Sequence, residues 1–319
     1  MRDQASDSRH QAATAVGAHS VRPPVAPVVL RETAYGKLNL TLDILGKRPD
    51  GYHDLEMVMC SVDLADELTL ELGAGGGWSV TCDRAELPQD EGNLCWRAAR
   101  SYFDAAGLDP DGLRIRVRKS IPAQAGMAGG SADAAAVLRA LNRHYGRFSG
   151  AALREIGLQV GSDVPYCLFG GVALARGRGE LLTRLPDLPG GLCFVLAKPD
   201  FSVSTPALFR QIDAAGVRVR PDTGAMVSAL ARGDARQIGR LLENSFEPEL
   251  AEQYPVIPEL RAVLLAHGAL GARLTGTGSV VFGLFDDRRK AEAAAKALQN
   301  SVSAVWVTEP VPSDARRPL

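Results

Sequence analysis

Between residues 28 and about 120, apolar and polar positions alternate. In "KLNLTLDILG", Leu38, Leu40, Leu42 and Ile44 face one way and Lys37, Asn39, Thr41 and Asp43 the other; "DELTLEL" and "LRIRVRK" repeat the pattern. A period of two belongs to strands whose faces meet different surroundings, so these stretches predict strands, with Lys37 and Asn39 on one face. A helix from about 93 to 106, with Leu94, Ala98 and Tyr102 in register, interrupts them. Further on, Ala134, Leu138, Leu141 and Tyr145 recur at helical spacing. Ser131 can cap that helix, Asp133 suits its positive end and Gly146 stops it. After "RGRGELLTRLPDLPGG" a second unit offers a strand "LCFVLA" and several helices between about 205 and 268. A strand-turn "ARLTGTGSVVFGLF", a helix from 287 to 299 and a last strand "AVWVTE" complete it. Strands grouped with helices, rather than alternating one to one, predict an α+β layered architecture. The second unit's order predicts a split β-α-β arrangement, and two such units meet in a cleft, where ligand sites tend to lie.

The stretch "IPAQAGMAGGSADAAA" places Gly126, Gly129 and Gly130 just ahead of a helix. Glycine costs backbone entropy, so such a loop usually needs positive φ angles or holds a ligand against bare backbone. A helix start has unpaired N–H groups and partial positive charge, which together make an anion site, most often for phosphate. The same residues also let a helix lie close to a strand, and the loop alone does not separate the two readings. It is neither a Walker loop nor the dinucleotide fingerprint Gly-x-Gly-x-x-Gly. Four more stretches stand out: "AYGKLNL", "RPDGYHDL", "GSDVPY" and "LTGTGS". Each has an ordinary alternative. Lys37 would be a solvated strand lysine, Asp163 a helix cap, Tyr52 and His53 the flank of a turn, and Gly276 and Gly278 a plain bend.

Composition narrows the field. A chain of 319 residues has room for two domains, and 46% hydrophobic with 23% charged residues is ordinary for a globular protein. A net charge of -1 leaves no global field to recruit nucleic acid or membrane, so an anion must be bound locally. The five cysteines (60, 82, 95, 167 and 193) are scattered and form no Cys-x-x-Cys. That argues against a disulfide framework or structural zinc and predicts a reducing cytoplasm. No apolar run approaches the roughly 18 residues of a membrane span. Residues 1–27 lack the hydrophobic centre of a secretory signal and carry Asp3 and Asp7, which suit no transit peptide. They predict a disordered leader. The closing "PVPSDARRPL" predicts an untethered end, with residues 312–319 as a tail.

Taken together, the order of these motifs resembles the GHMP kinase superfamily (galactose, homoserine, mevalonate and phosphomevalonate kinases), from about residue 30 to 308. "GKLNLTLDILGKRPDGYHDLEMV" with "GSDVPY" and "RGRGE" is similar to its 4-diphosphocytidyl-2-C-methyl-D-erythritol kinases. The resemblance implies a two-domain fold. An N-terminal ribosomal-protein-S5-like α/β domain would span 28–178, and a C-terminal ferredoxin-like split β-α-β domain 179–311. It implies ATP with Mg2+, a small-molecule substrate, and neither nucleic acid nor membrane as partner. Ala125, Gly126, Met127, Ala128, Gly129, Gly130 and Ser131 would wrap the ATP phosphates, Gly276 and Gly278 would close on them, and Asn93 with Leu94 would border the adenine. Asp163 would be the base for the C2 hydroxyl, with Lys37 beside it holding its carboxylate ionised. Asn39, Tyr52, His53 and Phe209 would bind substrate, the two aromatics sandwiching the cytosine and His53 bonding its edge. No carboxylate cluster marks a magnesium site.

The chain departs from the family at Tyr35-Gly36, where Pro-Ala is usual, at Met127-Ala128, where Leu-Gly is commoner, and at Ala132, which replaces a frequent serine. Three rivals are weighed. A kinase for mevalonate, homoserine or a sugar would need no cytosine-binding pair. A silent nucleotide-binding relative would have lost Asp163 or Lys37, and both are present. A dinucleotide-dependent oxidoreductase needs the missing fingerprint.

Overall fold

The structure is a computed structural model describing residues 27–73, 75–110 and 112–315. The expected leader, but for its last residue, and the end of the expected tail lie outside them. The predicted alternation produces two long strands, β1 (Val28–Lys47) and β2 (His53–Leu72), followed by β3 (Trp78–Cys82). Then come α1 (Leu94–Ala106), β4 (Leu113–Arg118), α2 (Gly129–Tyr145), α3 (Gly150–Val160) and α4 (Val164–Phe169). A hairpin, β5 (Ala173–Gly177) and β6 (Leu181–Arg184), completes this half. The second half runs β7 (Cys193–Lys198), α5 (Thr205–Ala215), α6 (Thr223–Arg232), α7 (Ala235–Arg240), β8 (Glu243–Asn244) and α8 (Glu247–Gln253). It ends with α9 (Val256–Ala266), β9 (Gly271–Leu274), β10 (Val281–Phe285), α10 (Arg288–Leu298) and β11 (Ala304–Thr308).

The first sheet has the order β3-β4-β2-β1-β8, with β5 also on β2 and β6 on β5. The length of β2 lets its far half pair with β4 and its near half with β5. Helices α1 to α4 form the other layer, with α2 against β1, α1 and α4. The second sheet is antiparallel throughout, in the order β11-β7-β10-β9. That is the split β-α-β order the sequence predicted.

Four expectations change. The 178/179 boundary falls in the β5–β6 turn, and both strands belong to the first sheet; the change of sheet comes between Arg184 and Cys193. Ser131 does not cap α2, whose N-cap is Ala128, in the left-handed region (φ 58°) and without a side-chain bond. Asp133 does not sit at the exposed helix end. It is buried against Lys119, which bridges it (2.6 Å) and Asp66 (2.5 Å). The chain end is tethered as far as Ser313: Val311 N donates to Ser61 O (2.9 Å), and Ser313 bonds the Asp187 carboxylate through its N–H and hydroxyl.

The polar face of β1 is not solvated either. Asn39, Thr41 and Asp43 are buried because the second half covers them. Arg220 and Ser245 bond the Asp43 carboxylate, and β8 pairs with Thr41 and Leu42.

Candidate active site

A cleft of about 590 Å³ opens between the two halves. Its lining includes Lys37, Tyr52, His53, Gly126, Ala128, Asp163, Phe209 and Gly276. These come from β1, the β1–β2 turn and β2, the loop before α2, the start of α4, α5, and the β9–β10 turn.

The two glycine turns meet through bare backbone. A methyl group on Gly126 (φ 76°) would lie 2.1 Å from Thr275 O, and one on Gly276 (φ 57°) 2.8 Å from Gly126 O and 3.2 Å from Lys37 Nζ. Both positions therefore need glycine for space as well as for φ. Val280 N donates to Ala125 O (3.3 Å) and Lys37 N to Met127 O (3.2 Å), so Ala125 and Met127 are anchors beneath the loop. A side chain on Gly36 would meet Leu64 O and Met127 Cε, each at 3.2 Å, so both the neighbouring strand and Met127 crowd that position. Gly129 and Gly130 open α2, with Ser131 half-buried in its first turn. Gly278 (φ 81°) packs on Leu274.

Asn93 has a demonstrable local task. Its Oδ1 caps α1 by accepting from Cys95 N (2.8 Å), and its Nδ2 donates to Pro88 O (2.6 Å). The start of α1 nevertheless borders the loop, because Leu94 lies 3.3 Å from where a Gly130 side chain would be.

Lys37 is buried and donates to Asn39 Oδ1 (2.6 Å); the backbone of Asn39 donates to Thr275 Oγ1 (3.0 Å). Among the described residues no ion pair joins Lys37 to Asp163, though both side chains line the cleft. Asp163 sits at the N-cap position of α4, yet its side chain makes no cap bond. Among the described residues its carboxylate has no hydrogen-bond partner, which removes the plain helix-cap reading and leaves it free toward the cleft. Burial of Arg139, which donates to Cys167 O and Thr33 O, ties α4 to α2 and β1 and so fixes that carboxylate's approach.

At the far end, the imidazole of His53 stacks on Phe209 (4.4 Å, 18°), and its Nε2 lies 2.7 Å from Asp213 Oδ1. Tyr52 is half-exposed and carries Arg178 over its ring at 3.7 Å. Tyr52, His53 and Phe209 line one end of the same cleft, with Arg178 on one face of Tyr52 and His53 on one face of Phe209. Arg178 is aimed by a turn between Gly177 (φ 70°) and Gly179 (φ 112°), and its N–H donates to Glu180.

Four residues escaped the sequence reading: Arg178, Asp213, Asn244 and Thr275. Asn244 Nδ2 donates to Leu274 O (2.9 Å) and Gly276 O (2.8 Å), holding the second glycine turn from β8. The "RGRGE" run contains Arg178 and "LTGTGS" contains Thr275; nothing local distinguished the other two.

Residues 93–171 match the model for the GHMP kinases N terminal domain and residues 226–304 that for GHMP kinases C terminal. A 4-diphosphocytidyl-2-C-methyl-D-erythritol kinase of Pelotomaculum thermopropionicum is 46% identical over 88% of this chain and 98% of its own. The chain belongs to the 4-diphosphocytidyl-2-C-methyl-D-erythritol kinase family of GHMP kinases. A member from Caldicellulosiruptor saccharolyticus is 41% identical, over 86% of this chain and 94% of its own. A crystal structure of a 4-(cytidine 5'-diphospho)-2C-methyl-D-erythritol kinase superposes with a TM-score of 0.73 at 34% identity, covering 88% of this chain and 98% of that one. Homoserine kinase from Cytophaga hutchinsonii shares the fold (TM-score 0.71, 21% identity, 89% and 96% coverage). Among the described residues no helix of this kinase is long and apolar enough to cross a membrane.

Proposed function

We propose that this kinase transfers the γ-phosphoryl group of ATP to the C2 hydroxyl of 4-diphosphocytidyl-2-C-methyl-D-erythritol, giving the 2-phosphate and ADP, a step of the methylerythritol phosphate route to isoprenoid precursors. The observation that carries this reading is the unpartnered Asp163 carboxylate in one cleft with Lys37, two touching glycine turns and the Tyr52–His53–Phe209 group. The hydroxyl oxygen attacks the γ-phosphorus, the bond to the β–γ bridging oxygen breaks, and the hydroxyl proton passes to Asp163. Lys37, steadied by Asn39, stabilises negative charge on the attacking oxygen. A tertiary alcohol is a crowded nucleophile, so holding it in line matters as much as basicity.

Main-chain N–H groups from Gly126 to Ser131 and the start of α2 receive the triphosphate. Bound Mg2+ would neutralise part of its charge. Among the described residues no three acidic, histidine or cysteine side chains cluster to hold the ion; the Asp163 carboxylate in the cleft would be available to it beside the phosphate oxygens. The base binds at Tyr52, His53 and Phe209. Arg178, between that group and Ser162, supplies positive charge for the substrate's diphosphate. The free cysteines and the use of ATP suit the cytoplasm. As units, residues 28–184 and 193–311 form the two domains.

The test is ADP release with ATP and Mg2+, comparing the cytidyl substrate with mevalonate, homoserine and galactose, and Asp163→Ala as control. Turnover of the cytidyl substrate alone, lost in the control, supports the assignment. Turnover of another alcohol instead overturns it.

A further inference from the structure

Two contacts meet at Asp213, a residue of α5 outside every motif named above, and a third secures the imidazole it faces. Its Oδ1 lies 2.7 Å from His53 Nε2, its Oδ2 accepts from Lys47 Nζ (2.6 Å), and one turn earlier on the same helix Phe209 stacks on the His53 ring. The imidazole is thereby held on one face and at one nitrogen. Its other nitrogen, Nδ1, has no partner among the described residues, and His53 lines the cleft.

A carboxylate that accepts from both neighbours can face only a protonated Nε2. The Lys47 ammonium keeps it ionised, and the hydrogen bonds from Lys47 and then His53 hold the Asp213 carboxyl below its usual range. In a neutral imidazole, a proton fixed on Nε2 leaves Nδ1 as a bare acceptor. An acceptor at that point distinguishes the two common pyrimidines, because cytosine presents a 4-amino donor where uracil presents a carbonyl acceptor.

We propose that Asp213 is a specificity-determining residue: by fixing the Nε2–H tautomer of His53 it presents Nδ1 as the acceptor for the 4-amino group of cytosine, and so selects a cytidyl over a uridyl substrate. Asp213 acts through His53 and is a positioning residue. The inference rests on the cytidyl reading above, and it assigns the choice of base to a side chain that touches no part of the transferred phosphoryl group.

The decisive variant is Asp213→Asn. Lys47 has only donors, so it claims the amide oxygen where Oδ2 now sits, leaving the amide N–H2 toward His53. The imidazole must then turn to the Nδ1–H tautomer and offer a donor to the base. Two measurements read this. In 15N-labelled enzyme, with the His53 signals assigned through His53→Gln, the wild type should show a neutral Nε2–H imidazole, and Asp213→Asn the Nδ1–H form. In steady-state assays with cytidine and uridine diphosphate conjugates of methylerythritol, the wild type should favour cytidine by about 10- to 100-fold in kcat/KM, the effect of one matched against one mismatched buried hydrogen bond. Asp213→Asn should bring the ratio to about one or below, and Asp213→Glu should restore it in part. An imidazolium, or an Nδ1–H tautomer, in the wild type would overturn the proposal. So would an Asp213→Asn enzyme that slows on both substrates by the same factor, which would make Asp213 only a tie between α5 and β2. Should Asp213→Asn fail to fold, the wild-type spectrum and the Asp213→Glu ratio decide alone. Absence of wild-type turnover on both conjugates would instead count against the cytidyl reading, while the tautomer measurement would still stand.

Discussion

Asp163 separates chemistry from stability. The Asp163 side chain makes no bond among the described residues, so Asp163→Asn should unfold within about 0.5 kcal/mol of the wild type, as unpartnered substitutions do. Loss of a general base should nevertheless lower kcat by about 10²- to 10⁴-fold, read by ADP release beside a urea titration. Ala128 presents the opposite case. An L-residue in the left-handed region costs roughly 1–2 kcal/mol, from which glycine's greater entropy loss of about 0.5–1 kcal/mol must be subtracted. Ala128→Gly should therefore stabilise the enzyme by about 0.5–1 kcal/mol in the same titration, because the N-cap position has φ 58°. "GSDVPY" made Asp163 legible, and the glycine commoner in the family at position 128 marked Ala128 as a backbone position, though the letter itself does not report its φ.

At the scale of elements, α2 is anchored by charge as well as by its apolar stripe. Lys119, at the end of β4, serves both Asp66 of β2 and Asp133 of α2, so two buried carboxylates share one ammonium. Burial pushes the Asp133 carboxyl well above its ordinary value; Lys119 opposes this, while Asp66 adds to it. Asp133 Oδ1 has no hydrogen-bond partner among the described residues. The folded state therefore holds a proton at Asp133 that the unfolded chain has released once pH exceeds about 4. Stability must fall as pH rises from there toward the raised value. Asp133→Asn, which carries no charge, should show a flatter profile, and the gap in unfolding free energy between variant and wild type should widen from pH 5 to pH 8 in urea titrations. The helix and its Gly146 stop were legible from spacing. The triad was not, because Asp66, Lys119 and Asp133 lie far apart in the chain and meet only when β2, β4 and α2 stack.

At the scale of the molecule, the two halves are joined by strands and turns that cross between them. The two-residue strand β8 belongs by sequence to the second half, yet it pairs with β1 in the first sheet. Its Asn244 is fully buried and bonds three backbone groups: Leu274 O, Gly276 O and Phe246 N. Asn244→Ala would leave all three without partners, at about 1–3 kcal/mol each. It should destabilise the enzyme by more than about 3 kcal/mol and raise the KM for ATP by loosening the turn at Gly276. Thermal unfolding and ATP titration of the initial rate check both parts. A rise in KM without loss of stability would show that Asn244 tunes the turn alone.

What the sequence determined by itself was everything carried by near neighbours. The alternation of β1, the helical spacing of α2, the glycine turns and the split β-α-β order are set by short-range periodicity and backbone freedom, and each is read from one stretch of letters. So was the face shared by Lys37 and Asn39, because alternate side chains on a strand share a side. Tertiary structure decided the distant pairings: Phe209 against His53, Arg178 over Tyr52, Lys119 between two carboxylates, and Asp213 behind His53. The physical reason is range. A hydrogen bond or ring stack depends on ångström-scale placement of groups tens to hundreds of residues apart, and only packing the two sheets against their helices fixes those distances.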